Sequence, residues 1–285
     1  MKQRLDVRMT ETGLAESRQK AQALILAGDV SVNGRRVDKP GAQVDDDAEI
    51  MVRQGLAYVS RGGLKLEKAM DCFPLSLTGA VCADIGASTG GFTDCMLQRG
   101  AAKVYAVDVG YGQLAWKLRT DSRVICLERT NARYLSREQI PEPLDFASAD
   151  VSFISLKLIL PPLRALLRDT ESRVVCLVKP QFEAGRGKVG KKGVVRDRAV
   201  HREVLENFLA DASGAGFAVD GLTWSPIRGP EGNIEYLAFL RPAPLPAPDD
   251  VSASDGVTVA HGVAPDEIPA LVEASHSALD DKTHN

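Results

Sequence analysis

The amino-acid sequence predicts an α/β fold with a seven-stranded, mostly parallel sheet, preceded by a small α+β domain. Seven short apolar runs lie between residues 58 and 242, and helical patterns separate most of them. A glycine-rich turn, Gly86–Gly91, follows the first run. We therefore expect a small domain over residues 1–57, a larger domain over 58–242 and a tail over 243–285.

In the first segment, local signals predict a helix, a hairpin and a further strand. Apolar spacing along Leu14–Leu26 predicts an amphipathic helix, which Gly28 would end. Asn33–Gly34 is a hairpin turn signal, and Asp45–Val52 is expected to form the last strand. The basic side chains of this segment are candidates for a phosphate-contacting face, with a solvated basic surface as the alternative. They are Arg4, Arg8, Arg18, Lys20, Arg35 and Arg36.

In the second segment, strands and helices alternate, which predicts a parallel, doubly wound sheet. The predicted strands are Val81–Ile85, Val104–Val107, Val124–Leu127, Leu144–Ala149, Val174–Val178, Ala218–Thr223 and Glu235–Leu240. The predicted helices are Phe92–Arg99, Gln113–Leu118, Phe153–Leu167 and Ala199–Ala212. The last two strands have no convincing helix between them, so the last strand is expected to run antiparallel.

The third segment begins with a proline-rich spacer at residues 241–248 and continues as an acidic tail. Residues 241–285 carry a charge of −6 and residues 1–240 carry +3, which makes the body mildly basic and compatible with an RNA partner. Ile268, Leu271, Val272 and Leu279 would line one face of a short helix. Because an isolated helix of that length is marginal in water, we expect the tail to be disordered.

Composition excludes several classes of protein. No apolar run reaches the length needed to span a membrane, and the first residues have no signal-peptide core. Five cysteines without a C-x-x-C pair argue against a disulfide framework and against a zinc site. A cytoplasmic protein without a metal is expected.

The glycine-rich turn and the acid after the second strand predict a nucleoside site. Asp108 follows the second predicted strand, at the spacing from Gly86 expected of an acid that binds a ribose. The pattern around Ser88 is G-x-S-x-G-G, so a dinucleotide with its pyrophosphate fits less well than a cofactor such as S-adenosylmethionine. A hydrolase nucleophile elbow would need a histidine, and the first one is His201. A turn without any ligand is the remaining alternative.

The first segment resembles a known RNA-binding module. Arg4–Asp6, Ser17–Ile25 and Gly28–Gly34 are similar to the αL domain that ribosomal protein S-four shares with many pseudouridine synthases. This resemblance implies that residues 1–57 bind RNA.

Seven motifs of the second segment resemble the TlyA family of FtsJ-like ribosomal RNA 2′-O-methyltransferases, some of which have been labelled haemolysins. They are Ser60–Leu66, Asp84–Asp94, Val107–Leu114, Glu128–Asn131, Asp150–Leu156, Val178–Glu183 and Gly193–Asp197. The resemblance implies a Rossmann-like fold, S-adenosylmethionine as cofactor, and cytidine in ribosomal RNA or ribosomal subunits as substrate. A base methyltransferase, a non-catalytic ribosome assembly factor and a membrane-active haemolysin are the alternatives.

The resemblance also implies the site residues. A catalytic tetrad maps onto Lys65, Asp150, Lys179 and Glu235, with Lys68 and Glu231 as rivals for the first and last positions. Lys179 would accept the proton of the ribose hydroxyl, and the two acids would hold the lysines. Lys65 would supply a second cation, orient the hydroxyl, or both. The candidate cofactor residues come from the glycine-rich turn and the ends of the first three strands: Asp84, Gly86, Ser88, Gly90, Gly91, Asp108, Glu128 and Asn131.

A glycine-rich loop after Lys179 carries five basic residues. They are Arg186, Lys188, Lys191, Lys192 and Arg196. Because the loop follows a catalytic strand end, we expect these residues to grip RNA phosphates beside the active site, with a mobile solvated loop as the alternative.

Overall fold

A computed structural model describes residues 2–52, 57–190, 192–244 and 262–280, without the side chains of Arg186 and Asp280. The chain folds into two compact units, Met1–Ala57 and Tyr58–Asn285. No helix in the described part of the chain combines the length and apolar character needed to cross a membrane.

The first unit packs two helices on short strands. Its elements are β1 (Lys2–Arg4), α1 (Leu5–Glu11), α2 (Arg18–Ala27), β2 (Val30–Val32), β3 (Arg35–Arg36), β4 (Gln43–Asp45) and β5 (Ile50–Val52). β1 pairs with β4, and β2 lies between β3 and β5, all antiparallel. Leu5, Met9, Ile25 and Val30 are buried at the centre of this unit.

Two boundaries in the first unit differ from the prediction. The helix predicted over Leu14–Leu26 begins at Arg18 instead, because the Ser17 hydroxyl accepts a hydrogen bond from the backbone N–H of Lys20 at 3.2 Å and caps the helix. Gly28 ends it in the left-handed conformation, as predicted. The single strand predicted over Asp45–Val52 is wrong: a turn separates β4 from β5, and the two pair with different strands.

The second unit is built on the predicted seven-stranded sheet. Its strands are β6 (Val81–Ile85), β7 (Lys103–Val107), β8 (Val124–Leu127), β9 (Phe146–Ala149), β10 (Arg173–Val178), β11 (Phe217–Trp224) and β12 (Tyr236–Pro242). The order across the sheet is β11-β12-β10-β9-β6-β7-β8. Among these seven strands, β12 runs in the direction opposite to the other six, which confirms the fold class and the predicted direction of the last strand.

Helices cover both faces of this sheet. They are α3 (Gly63–Cys72), α4 (Gly91–Gln98), α5 (Trp116–Arg119), α6 (Leu160–Leu166), α7 (Pro180–Glu183), α8 (Arg198–Gly214) and α9 (Ile268–Asp280). Leu66 of α3 and Met96 of α4 are buried in one core, and Leu160 of α6 and Leu205 of α8 in the other. Successive strand residues such as Cys82 and Ala83 point to opposite cores, as the pleat of a buried strand requires.

Two predicted helices of the second unit are shorter than expected. The helix predicted over Phe153–Leu167 is limited to α6, after a separate 3-10 turn, because Pro161 and Pro162 suit only the first turn of a helix. The helix predicted over Gln113–Leu118 is reduced to the single turn of α5.

The expectation of a disordered tail over 243–285 is wrong for residues 262–280. α9 packs against α8 and β11, and Ile268, Val272 and Leu279 are buried in the same core as Leu205. Local sequence makes such a helix marginal, but burial of its apolar stripe stabilises it. Residues 245–261 and 281–285 of the predicted tail lie outside the described residues.

Candidate active site

Four strand ends at one edge of the sheet are followed by predicted site residues. Gly86 follows β6, Asp108 follows β7, Asp150 follows β9 and Lys179 follows β10. Parallel strands place their carboxyl ends at the same edge, where open α/β sheets bind ligands. β12 runs the opposite way, so Glu235, just before its first residue, lies at this edge too.

The structure brings the four predicted tetrad residues into one row of alternating charge. Lys65 Nζ donates to Glu235 Oε2 at 2.7 Å and lies 3.8 Å from Asp150 Oδ2. Lys179 Nζ lies 2.5 Å from Asp150 Oδ1 and donates to Ser152 Oγ at 3.1 Å. Asp150 therefore joins the two lysines, and Glu235 anchors the far end of the row.

Both rival residues lie outside this row. The Lys68 ammonium sits 4.3 Å from the centre of the Trp224 ring. Glu231 is exposed and lines two cavities, whereas the Glu235 side chain is 1% exposed. Lys65 and Glu235, and neither of their rivals, therefore belong to the charged row.

Close packing of α3 against α4 positions Lys65. A β-carbon on Gly63 would lie 2.2 Å from the Tyr58 ring, and one on Gly91 would lie 2.4 Å from Ser60 Oγ. Both glycines therefore permit a close approach that a larger residue would prevent. The predicted cofactor residue Gly91 serves this packing, and Lys65, the third residue of α3, reaches Glu235.

A cavity of about 460 Å³ extends from Gly86 past Asp108 to Asn131 and Asp150. Asp108 accepts the backbone N–H groups of Ser88 at 2.8 Å and Gly110 at 2.7 Å, which fixes its carboxylate at the cavity wall. Gly86 has φ +86°, and a β-carbon there would lie 2.4 Å from the Asp150 carbonyl oxygen. Only glycine lets the chain pass this close to the wall.

Two further predicted cofactor residues, Asp84 and Gly90, do not line the 460 Å³ cavity. Asp84 is fully buried and accepts hydrogen bonds from Thr93 N–H at 2.9 Å, Thr93 Oγ1 at 2.7 Å and Ser148 Oγ at 3.1 Å. Burial raises its pKa to about 6. It lines a smaller cavity of about 120 Å³ beside Gly86 and Ser88. Gly90 has φ +95° and caps α4, where a β-carbon would clash with Leu118.

The carboxylate of Glu128, another predicted cofactor residue, is occupied by contacts within the protein. Its carboxylate lies 2.5 Å from Arg119 Nη2 and accepts the Gly112 N–H at 2.7 Å. The Arg119 guanidinium lowers the pKa of this carboxyl group. The structure thus uses Glu128 to hold the loop after β7, while Asn131 lines the cavity.

Two aromatic residues beside Lys179 were missed from the sequence. Phe153 is 91% exposed, and its ring centre lies 5.0 Å from that of Phe182. Both line a cavity of about 880 Å³ together with Lys179 and Glu235. Phe153 has φ +64°, an unfavourable backbone conformation for a bulky residue. The sequence pattern predicts a helix at this position and gives no sign of an exposed ring.

Comparison with known proteins identifies the domains. Residues 58–241 match the FtsJ-like methyltransferase domain, and residues 3–50 match the S4 domain. The chain belongs to the FtsJ-like methyltransferase family.

Relatives of this methyltransferase confirm the resemblance to the TlyA family. The chain is 55% identical over 241 residues to YqxC of Bacillus subtilis, named as a candidate rRNA methyltransferase, covering 84% of this chain and 85% of the relative. It is 47% identical over 241 residues to the 16S/23S rRNA (cytidine-2′-O)-methyltransferase TlyA of Mycobacterium tuberculosis, covering 84% of this chain and 89% of that one. A solved structure of a candidate hemolysin from Streptococcus thermophilus has 46% identity and a TM-score of 0.75, covering 100% of this chain and 99% of that one.

The basic residues predicted to bind RNA in this methyltransferase lie in two groups. In the first unit, Asp6 is fully buried and accepts hydrogen bonds from Arg4, Arg18 and Gln22, while Lys20 and Arg35 are exposed. These contacts hold the pKa of the Asp6 carboxyl group well below its usual range.

In the loop after α7, Lys188 pairs with Glu203, and Lys192 and Arg196 are exposed. Lys191 and the Arg186 side chain lie outside the described residues.

Proposed function

We propose that this enzyme is an S-adenosylmethionine-dependent methyltransferase that acts in the cytoplasm on the 2′-hydroxyl of a cytidine in ribosomal RNA. The observation that carries the proposal is the row Glu235–Lys65–Asp150–Lys179 beside the cavity at Asp108. The M. tuberculosis relative, named for this reaction, supports the choice of substrate.

The residues of the 460 Å³ cavity fit the cofactor. Asp108 offers carboxylate oxygens for ribose hydroxyls, and the turn at Gly86 and Ser88 exposes backbone to the ligand. Asn131 supplies an amide at the side where a base would lie. When bound, S-adenosylmethionine supplies an electrophilic methyl group on a sulfonium.

Lys179 is placed to take the proton of the substrate hydroxyl. A ribose hydroxyl holds its proton tightly and needs a nearby base as it attacks. Lys179 lines the larger cavity, where the target ribose would lie, and its Nζ lies beside Asp150 and Ser152. It would accept the proton as the neutral amine and become the ammonium as the hydroxyl attacks. Lys65, on the other side of Asp150, supplies a second positive charge near the oxygen that becomes negative as the ribose hydroxyl attacks. Positioning contributes several kcal/mol more.

Phe153 and Phe182 form a platform for the target base. A nucleotide inside a folded RNA must leave its stack before its ribose reaches Lys179. Stacking on an exposed aromatic ring contributes about 1–3 kcal/mol per base, which offsets part of that cost. The 5.0 Å separation of the two rings and the strained backbone at Phe153 are consistent with a site built for stacking.

The remaining affinity would come from phosphate contacts. Asp6 holds Arg4 and Arg18 in the first unit with their guanidinium groups about half exposed. Side chains fixed in this way lose less freedom when they bind phosphates. The exposed Lys192 and Arg196, in the loop that follows Lys179 and α7, would contact RNA as well.

Replacing Lys179 tests the proposal. Lys179→Ala should lower kcat by about 100-fold or more, the usual cost of losing a general base, because no other described lysine contacts Asp150 Oδ1. Affinity for RNA and for S-adenosylmethionine should change less than about threefold. Lys103→Ala, at the opposite edge of the sheet, is the matched control. A Lys179→Ala enzyme with more than about a tenth of wild-type turnover would contradict the assignment.

A further inference from the structure

A second cavity, of about 470 Å³, lies next to the larger one and takes no part in the proposed chemistry. Three arginines line it: Arg196 and Arg198 at the start of α8, and Arg228 in the loop after β11. Ile234, before β12, and His276, on α9, also line it. The helix that had been expected to be disordered therefore contributes to this site.

One strip of chain separates the two cavities. Between β11 and β12, Gly232 and Ile234 line the arginine cavity, whereas Asn233 and Glu235 line the larger one. Glu231 lines both. A ligand that fills the larger cavity and continues past Glu231 therefore reaches the arginines directly.

Hydrogen bonds fix the shared wall. Asn233 accepts the Val195 N–H at 3.0 Å and donates to the Gly193 carbonyl oxygen at 2.9 Å. His201 Nε2 lies 3.0 Å from the Val195 carbonyl oxygen, and its Nδ1 lies 2.8 Å from the Tyr236 hydroxyl. These bonds tie the cavity wall at Val195 to the start of β12, next to Glu235.

The charge of the cavity favours an anion. Its lining contains three guanidinium groups and one carboxylate, that of Glu231. Arg198 also pairs with Glu273 at 3.2 Å, and even with this acid the site keeps a net positive charge. The amino end of the 17-residue α8 adds the positive end of its dipole. Arginine is suited to phosphate because its planar fork donates two parallel hydrogen bonds.

We propose that this cavity binds a backbone phosphate of the RNA strand next to the target nucleotide. The inference rests on the proposed function, which places the target ribose in the larger cavity. A flipped-out nucleotide stays bonded to phosphates on both sides, so its strand must leave the larger cavity through an adjoining surface. The arginine cavity provides that surface, and Arg198 and Arg228 extend the RNA contacts beyond those predicted from the sequence.

The test is the Arg198→Gln/Arg228→Gln double variant, assayed on purified 30S and 50S ribosomal subunits that lack the modification. We expect KM to rise about tenfold or more and kcat to change less than twofold, because the arginines bind the strand without touching the reacting atoms. The slope of log affinity against log salt should fall by about 1 for each lost phosphate contact. The affinity for S-adenosylmethionine should stay at the wild-type value.

Two further variants keep the test decisive. Arg123→Gln removes an arginine paired with Asp121 at the opposite edge of the sheet and should leave KM unchanged. Arg198→Gln alone changes an exposed residue, so it should fold normally and raise KM several-fold. The inference is overturned if both Arg198 variants keep KM within twofold of wild type, or if Arg123→Gln raises KM equally.

Direct binding separates this inference from the proposed function. Filter binding measures how tightly the protein binds the subunits and needs no catalysis. If the wild-type protein binds but transfers no methyl group, only the proposed function is contradicted. Loss of salt-sensitive binding in the double variant would then still support the cavity as a phosphate site. Normal methyl transfer by wild type, with unchanged binding by the double variant, would overturn the cavity inference alone.

Discussion

Breaking the Lys65–Glu235 ion pair tests whether the charged row is a single coupled unit. Lys65→Met removes the ammonium that lies 2.7 Å from Glu235 Oε2 and 3.8 Å from Asp150 Oδ2. The Glu235 side chain is 1% exposed, so its carboxylate would be left buried without its cation. Removing one partner of a buried pair typically costs about 3–5 kcal/mol.

The lower end of that range applies here, because Asp150 is 19% exposed and water reaches the row from the cavity side. A loss of about 3 kcal/mol should lower the midpoint of thermal unfolding by about 6–12 °C in a domain of this size. Lys68→Met is the control: it removes a cation 4.3 Å from the Trp224 ring and should cost about 1 kcal/mol or less.

The assay is thermal unfolding of four proteins at pH 7: wild type, Lys65→Met, Glu235→Gln and the double variant. Adding Glu235→Gln to Lys65→Met neutralises the unpaired carboxylate, so the double variant should regain at least half of the lost stability. Such non-additivity is the signature of residues in direct contact. The reasoning is refuted if Lys65→Met unfolds within 2 °C of Lys68→Met, a difference of about 1 kcal/mol or less, or if Glu235→Gln restores nothing.

Three further predictions concern the cofactor site and the terminal helix. Asp108→Ala should weaken S-adenosylmethionine about tenfold or more in calorimetry while the fold persists; unchanged affinity would remove the ribose assignment. Burial raises the pKa of Asp84 to about 6, so between pH 4 and 6 the folded protein holds a proton that the unfolded chain has lost, and this group's contribution to stability falls as pH rises. Asp84→Asn removes this dependence, so its stability relative to wild type should improve by about 2 kcal/mol from pH 4 to pH 7.5; a difference that does not vary with pH would contradict the assignment. Ile268→Ala should cost about 2–5 kcal/mol in denaturant unfolding because Ile268 is fully buried, and a cost below about 0.5 kcal/mol would argue against docking of α9.

The sheet and the edge that carries the site could be predicted from sequence because the signals there are local. Short apolar runs such as Val81–Ile85 mark buried parallel strands, and their carboxyl ends must share one edge. Asp150 and Lys179 therefore had to lie near each other once the strand order was known. The family resemblance, not periodicity, selected Lys65 and Glu235, and the structure brings both to the same edge.

What the sequence did not reveal depends on tertiary packing. α9 is a short helix that gains its stability from burial of Val272 and Ile268 against elements far away in the chain. Phe153 adopts a backbone conformation that no local propensity favours. The arginine cavity joins Arg198, Arg228 and His276, which only the fold brings together. The apolar spacing along α9 indicates a helix but not the surface that it packs against, and no local pattern shows that Phe153 is exposed or that the three arginines and His276 meet.

The position of the transferred methyl group tests the central claim most directly. Purified enzyme would be incubated with S-adenosylmethionine and unmodified ribosomal subunits, and the RNA digested and analysed by mass spectrometry and by resistance to alkaline cleavage. The account predicts a methyl group on the ribose O2′ of a cytidine, formed by wild type and absent with Lys179→Ala. A methyl group on a base, or no transfer to either subunit, would contradict it.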